Sequence, residues 1–274
     1  MTAVAVTVAG SDSGGGAGIQ ADLKTFAALG CYGATVVTAL TAQNTKGVAG
    51  IHDVPPEFIE AQFDAVFSDI AVDAVKVGML SRSQTIAAVV TGLDRYGQTN
   101  VVVDPVMIAT SGERLLDDDA VDTLIHVLIP RARVITPNLL EAAALLGRPV
   151  AADESAMRGQ AERLLLHGAK AVLIKGGHGS GPVCVDLLVE RDTVTRFAAP
   201  RIATRNTHGT GCTLSSAVAA GLAKGYGLSE ATRRAKDYVT AAIANADRLG
   251  IGTGNGPVHH FHRWWSPTGA TPTE

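Results

Sequence analysis

Cysteine is scarce in this 274-residue chain: Cys31, Cys184 and Cys212 stand far apart and form no C-x-x-C pair. An odd, scattered set offers neither a disulfide framework nor a structural zinc site and points to a reducing compartment. Aromatic residues make up only 4% of the chain, and the net charge of −3 leaves no basic footprint. A nucleic-acid partner is therefore not expected. No apolar run reaches the roughly 18 residues that span a bilayer, so no membrane partner is expected either. The first ten residues lack a basic n-region and alternate like a strand rather than a signal peptide, which makes the cytoplasm the expected location. Two nucleotide signatures are also missing: G-x-x-x-x-G-K-[ST], and a G-x-G-x-x-G between a strand and a helix. A P-loop is excluded, and a dinucleotide fold is disfavoured.

What is present is 46% hydrophobic and 18% charged, the make-up of a compact protein with a substantial core. Strand-like and helix-like segments alternate. A strand is expected at Val4–Ala9, a helix at Ile19–Leu29 and a strand at Ala34–Leu40. A helix from Pro55-Pro56 to about Ser68 and a strand at Asp73–Val77 follow, then a helix from Ser81, with Gln84 at capping-box spacing. Val101–Val103, Val134-Ile135 and Val172–Ile174 are short and wholly apolar, as strands of a parallel sheet covered on both faces should be. Val183–Glu190 and Thr193–Ala198, joined by Arg191-Asp192, predict a β-hairpin in the C-terminal half, which argues against a (β/α)₈ barrel. Helices are expected at Cys212–Lys224 and Ser229–Leu249. The expectation is a single α/β domain over residues 1–265, mostly parallel, with a disordered Pro/Thr/Gly-rich tail over 266–274.

The chemistry is expected where apolar strands end. Asp104-Pro105, Thr136-Pro137-Asn138 and Lys175-Gly176-Gly177-His178 each follow such a strand, and the carboxyl edge of a parallel sheet is where ligands bind. The run Asn206-Thr207-His208-Gly209-Thr210-Gly211-Cys212-Thr213 then enters a small-residue helix. Glycines ahead of a helix let several N–H groups point outward into the positive end of the helix dipole, which makes an anion site. Phosphoryl transfer needs anion donors, a cation, a carboxylate-held Mg²⁺ and a group at the acceptor. The Gly209–Cys212 amides, Lys175, Asp104 with Glu141, and Cys212 are candidates for those tasks. Taken singly, Asn138 and Glu141 also read as an N-cap and a solvated carboxylate, Asp104 as a turn residue, and Cys212 as a buried core cysteine. Lys175 is harder to read as purely structural.

Further segments extend the pattern: Ala9-Gly10-Ser11-Asp12, Gly15–Thr25, Thr38–Thr45, Lys76-Val77-Gly78-Met79-Leu80, Asp104-Pro105-Val106-Met107 and Gly256–Phe261. With the strand-end motifs and Gly209–Cys212, these segments resemble the ribokinase-like superfamily, and within it the hydroxymethylpyrimidine/phosphomethylpyrimidine kinases of thiamin biosynthesis. The resemblance implies a three-layer fold, ATP and Mg²⁺ as cofactors, and a homodimer. It implies phosphorylation of 4-amino-5-hydroxymethyl-2-methylpyrimidine, then of its monophosphate. Gln43 would read the aminopyrimidine edge, Met79 would pack on the ring, and Gly10, Asp22 and Val106 would line the same pocket. Lys175, Asn138 and Thr210 would hold the ATP, Asp104 and Glu141 the metal, and Gly209, Thr210, Gly211, Cys212 and Lys175 would serve the transfer itself. A primary amide does match a ring nitrogen beside an exocyclic amine; without the resemblance Gln43 reads as a loop residue. One departure stands out: Ser13-Gly14 occupy positions where the family often has proline and serine.

Cys212 carries a further expectation. A thiolate favoured by the helix N-terminus would take the alcohol proton in the first transfer, whereas the second acceptor, already ionised, needs no base. Three other readings remain at this point. One is a pyridoxal kinase, another a thiol hydrolase using His208 or His178 as base, and the third a non-catalytic nucleotide sensor. His259, His260 and His262 lack metal-ligand spacing and are expected to pack.

Overall fold

The computed structural model describes residues 1–107, 116–177, 179 and 181–265; His178 and the expected 266–274 tail lie outside these. The strands are β1 (Val4–Ala9), β2 (Tyr32–Val37), β3 (Ala39–Asn44), β4 (Gly47–Asp53), β5 (Ala74–Val77), β6 (Val101–Val103), β7 (Val134–Ile135), β8 (Ala171–Lys175), β9 (Val183–Glu190) and β10 (Val194–Pro200). The helices are α1 (Gly18–Ala28), α2 (Pro56–Phe67), α3 (Ser83–Arg95), α4 (Asp118–Thr123), α5 (Leu139–Leu146), α6 (Glu154–Leu165), α7 (Thr210–Ala223) and α8 (Leu228–Ala244). Eight strands form one sheet in the order β10-β9-β8-β7-β6-β5-β1-β2, and β3 and β4 form a separate antiparallel pair.

From β2 to β8 every pairing is parallel, and β9 and β10 add an antiparallel edge. The expected α/β class and C-terminal hairpin are therefore present. Period-two alternation sends side chains to two cores. Val6, Val8, Val101, Val103, Val172 and Ile174 pack toward α2, α3, α5 and α6. Ala5, Ala74, Val102 and Leu173 face the other way, toward α1, α7 and α8. Small side chains on that second face match the small residues of α7. At Gly221, an added Cβ would lie 2.7 Å from the Ala231 Cβ of α8. Among the described residues no helix is long and apolar enough to cross a membrane.

Two local expectations are corrected. The strand expected at Ala34–Leu40 breaks at Thr38, whose N–H donates to Ala9 O and whose carbonyl accepts from Val54 N. The chain leaves the main sheet there and builds the β3–β4 hairpin, which also lifts Gln43 from a loop onto a strand. The capping box from Ser81 does not form. The helix begins at Ser83 without a side-chain cap, because the Ser81 hydroxyl is committed to Asp53.

Candidate active site

Parallel register brings the strand ends together. Asp104 N donates to Val77 O, Thr136 N to Val103 O and Lys175 N to Pro137 O, so three successive strands finish side by side. Above them opens a cavity of about 900 Å³. Its walls include Asp104, Asn138, Glu141 and Lys175 from the sheet edge, Gly209, Thr210, Gly211 and Cys212 from the start of α7, and Gly10, Gln43, Met79 and Val106. Every residue singled out from the sequence as a site residue, except Asp22, is on this wall.

The turn before α7 is shaped by contact. Gly209 caps α7 with φ +79°, a left-handed conformation, and a Cβ there would collide with the carbonyl oxygen of Gly16. The opposing loop is itself gathered by Asp12, whose carboxylate accepts from Gly14 N at 2.8 Å, Gly16 N at 3.0 Å, Ala17 N at 2.8 Å and His208 Nε2 at 2.8 Å. Burial works against that carboxylate, but His208 and the backbone donors hold its pKa below the ordinary value. The two glycine loops are thus clamped together, and the turn stays open to the cavity.

Opposite the turn, Lys175 Nζ donates to Asp104 Oδ1 at 2.7 Å and lies 3.9 Å from Glu141 Oε2. Gly211 approaches so closely that an added Cβ would stand 3.3 Å from Lys175 Nζ. Cation and amide turn therefore face the same space. Burial opposes charge on both Lys175 and Asp104, yet each outweighs the penalty for the other: the lysine pKa is raised and the aspartate pKa lowered. Glu141 behaves differently. Burial, with Asp104 adding repulsion, pushes it up to about 7, despite Lys175 and the Asn138 N–H, which donates to its Oε2 at 2.7 Å. Asn138 and Glu141 form the reciprocal capping box of α5, so their plain helix-capping reading is realised alongside their place on the cavity wall.

Cys212 corrects the expectation of a ready thiolate. Burial, reinforced by Asp22 and Asp104, pushes its pKa up to about 11 even though Lys76 and the Gly18 backbone favour the thiolate. The helix-terminus field loses to desolvation, and the thiol is held protonated. Asp22 is corrected too. It is fully buried and absent from the cavity wall, where it had been expected among the pocket-lining groups. It accepts instead from Thr7 Oγ1 at 2.6 Å, Ser216 Oγ at 2.6 Å and Lys76 Nζ at 2.9 Å.

The other end of the cavity is the expected ring site. Gly10 backs onto Met79, and a Cβ there would be 3.3 Å from the Met79 sulfur. Gln43 sits just after a bulge in β3. Its N–H and carbonyl are both held by the Ser13 hydroxyl, and its side-chain Oε1 accepts from Thr41 Oγ1 at 3.2 Å.

Sequence reasoning assigned no task to Lys76, to the Asp12–His208 pair or to the Lys236–Asp186 pair at 2.6 Å, all of which line the cavity. The first had a signal: a lysine inside Ala74-Val-Lys-Val, a strand buried throughout. The pairs join residues far apart in the chain and left none. His208, weighed as a hydrolase base, is tied to Asp12. The other proposed base, His178, is outside the described residues. The expected packing of the histidine cluster is what the geometry shows. His260 Nε2 meets Thr213 Oγ1 at 3.0 Å, and its carbonyl accepts from Tyr238. Burial pushes its ring down to about 3, and His259 packs edge-on to Trp265.

A parallel sheet carrying a glycine turn, a lysine and paired carboxylates at its carboxyl edge is equipped for phosphoryl transfer, and the solved structures it resembles are kinases of ribokinase-like fold. The profile of the phosphomethylpyrimidine kinase family matches residues 12–259. The chain is 62% identical over 265 residues to the hydroxymethylpyrimidine/phosphomethylpyrimidine kinase of Rhizobium meliloti strain 1021, covering 97% of this chain and 99% of that one. The crystal structure of phosphomethylpyrimidine kinase from Clostridium difficile 630 superimposes with a TM-score of 0.78 at 46% identity, over 87% of this chain and 98% of that chain. An ADP complex of Bacillus subtilis pyridoxal kinase gives 0.89 at 36% identity, over 96% and 100%. The chain belongs to the phosphomethylpyrimidine kinase family.

Proposed function

We propose that this protein transfers the γ-phosphoryl group of ATP first to the hydroxymethyl group of 4-amino-5-hydroxymethyl-2-methylpyrimidine and then to the resulting monophosphate, in thiamin biosynthesis. The observation that carries the reading is the convergence of Lys175, Asp104, Glu141 and the Gly209–Cys212 turn on the cavity that also holds Gln43 and Met79.

The Gly209–Cys212 amides meet the charge on the transferring group, and Lys175 faces it from the sheet edge. Thr210, Lys175 and Asn138 take the ATP phosphates. Asp104 and Glu141 would hold Mg²⁺, a hard cation that takes carboxylate oxygens; when bound it would supply positive charge against the phosphates. Gln43 and Met79 select the aminopyrimidine, with Gly10 and Val106 completing the pocket. Cys212 contributes a neutral wall at the acceptor. In a loose transition state the alcohol keeps its proton until late and then passes it to an oxygen of the transferred phosphoryl group or to water, so no strong base is needed, and an uncharged thiol does not repel the dianionic second acceptor.

Purified protein given ATP, Mg²⁺ and the pyrimidine alcohol should release ADP and form the monophosphate, then the diphosphate, each resolved by mass. Absence of ADP with either acceptor would overturn the reading. The structural likeness to Bacillus subtilis pyridoxal kinase makes pyridoxal the alternative substrate to test, so a competition assay belongs in the same experiment. We also propose a single domain over residues 1–265, a homodimer and a cytoplasmic location, on the family resemblance and the sequence composition; light scattering tests the dimer.

A further inference from the structure

Among the charged groups that line the site and have no task in this reading, Lys76 is fully buried. It lies on β5 in register with Thr7 of β1, on the sheet face covered by α1 and α7. Its side chain has no exposed surface, and among the described residues its one hydrogen-bond partner is Asp22. Asp22, by contrast, is saturated by Thr7 and Ser216 as well. Lys76 borders the cavity and Asp22 does not. The pair is therefore an oriented dipole with its positive end toward the site.

Its position along α7 matters. Cys212 and Ser216 are four residues apart and share a helix face. Ser216 bonds the acidic end of the pair, and Cys212 feels both ends, Lys76 more strongly than Asp22. Gly78 makes room for the ammonium, because a Cβ there would stand 2.6 Å from Lys76 Nζ. A buried ion pair is weak evidence of stability, since apolar replacements of similar size are often neutral or better. An ammonium kept in an otherwise apolar buried strand, beside the wall where the acceptor arrives, calls for another account.

We propose that Lys76 is an electrostatic positioning residue that favours the phosphorylated acceptor, its fixed positive charge drawing the monophosphate dianion to the Cys212 end of the cavity. It acts through its field and not by contact, because no part of the side chain is exposed. The neutral alcohol gains little from that field, whereas a phosphate monoester carries roughly −1.5 to −2 charges at neutral pH. The proposal rests on the two-acceptor kinase reading above and assigns the means of telling the acceptors apart.

The test is the double variant Lys76→Met with Asp22→Asn, which removes both charges and leaves no uncompensated ion. Relative to wild type, kcat/KM for the monophosphate should fall about tenfold or more beyond any fall for the alcohol. Equal losses for the two acceptors, or no loss, would overturn the proposal. A purely structural role moves both acceptors together. Should the variant not fold, ¹⁵N-lysine-labelled wild type decides: the Lys76 ammonium resonance should shift with the monophosphate far more than with the alcohol. Equal shifts again overturn it. Wild type inactive toward both acceptors would defeat the kinase reading itself, a distinct result.

Discussion

Gly209 and Gly16 meet backbone to backbone: a side chain on the first would strike the carbonyl oxygen of the second, and a Cβ on Gly16 would strike the His208 ring. The contact fixes the α7 turn, whose residues Gly209, Thr210, Gly211 and Cys212 line the cavity. Gly209→Ala adds a methyl where there is no space and also forces an L-residue into φ +79°. Phosphoryl transfer should fall about a hundredfold or more, with about 2–4 kcal/mol lost from stability. Steady-state kinetics and urea melts measure both. Unchanged kcat would remove the turn from the chemistry.

The raised pKa of Cys212 predicts a sluggish nucleophile. With a value of about 11, roughly a thousandth of the thiol is ionised at pH 8. Iodoacetamide should label Cys212 in the ligand-free protein roughly a hundredfold more slowly than free cysteine, with the rate climbing about tenfold per pH unit. Peptide mass spectrometry separates it from Cys31 and Cys184. Rapid labelling at pH 7 would restore the thiolate reading.

Much of this was legible locally. Val101–Val103 followed by Asp104, and Val172–Ile174 followed by Lys175, place their polar groups at the carboxyl edge because a short apolar run in a parallel sheet leaves no other place for them. The Gly209–Cys212 turn was equally local, since glycine spacing and a helix start lie within a few residues. What sequence missed depends on distant partners. Ser81 has the spacing of a cap, but Asp53, 28 residues earlier, takes its hydroxyl. Cys212 sits at a favourable helix terminus, but Asp22 and Asp104 arrive from other strands and helices and join burial in reversing the field. Gln43 needed the family resemblance, because the β3–β4 hairpin lies off the main sheet and carries many exposed residues.

Ser13, one of the departures from the family pattern, has a specific job. Its hydroxyl accepts from Gln43 N at 2.8 Å and donates to Gln43 O at 2.9 Å, joining the first glycine loop to the hairpin that carries the ring-reading amide. Ser13 is exposed, so the bonds compete with water and contribute little to global stability. Ser13→Ala should leave the melting temperature nearly unchanged and raise KM for the pyrimidine by about three- to tenfold, with KM for ATP unaffected. Equal rises in both constants would indicate loop disorder in place of lost Gln43 positioning.

Glu141 links pH to stability with an unusual sign. Its unfolded-state value is near 4.5 and its folded value is pushed up to about 7, mainly by burial. Between those values the folded protein keeps a proton that the unfolded chain has released, so stability falls as pH rises through this window and the penalty is complete above it. Glu141→Gln removes the ionisable group but keeps an oxygen to accept from Asn138 N, so the capping box survives. In metal-free protein the variant should match wild type near pH 4 and exceed it at pH 8 by about 1 kcal/mol or more. Its kinase activity should meanwhile drop about tenfold or more through loss of a carboxylate proposed to hold Mg²⁺. Denaturant melts at the two pH values, paired with ADP-release assays across a Mg²⁺ titration, check both halves. A variant less stable than wild type at pH 8 would mean that attraction to Lys175 outweighs desolvation at this carboxyl.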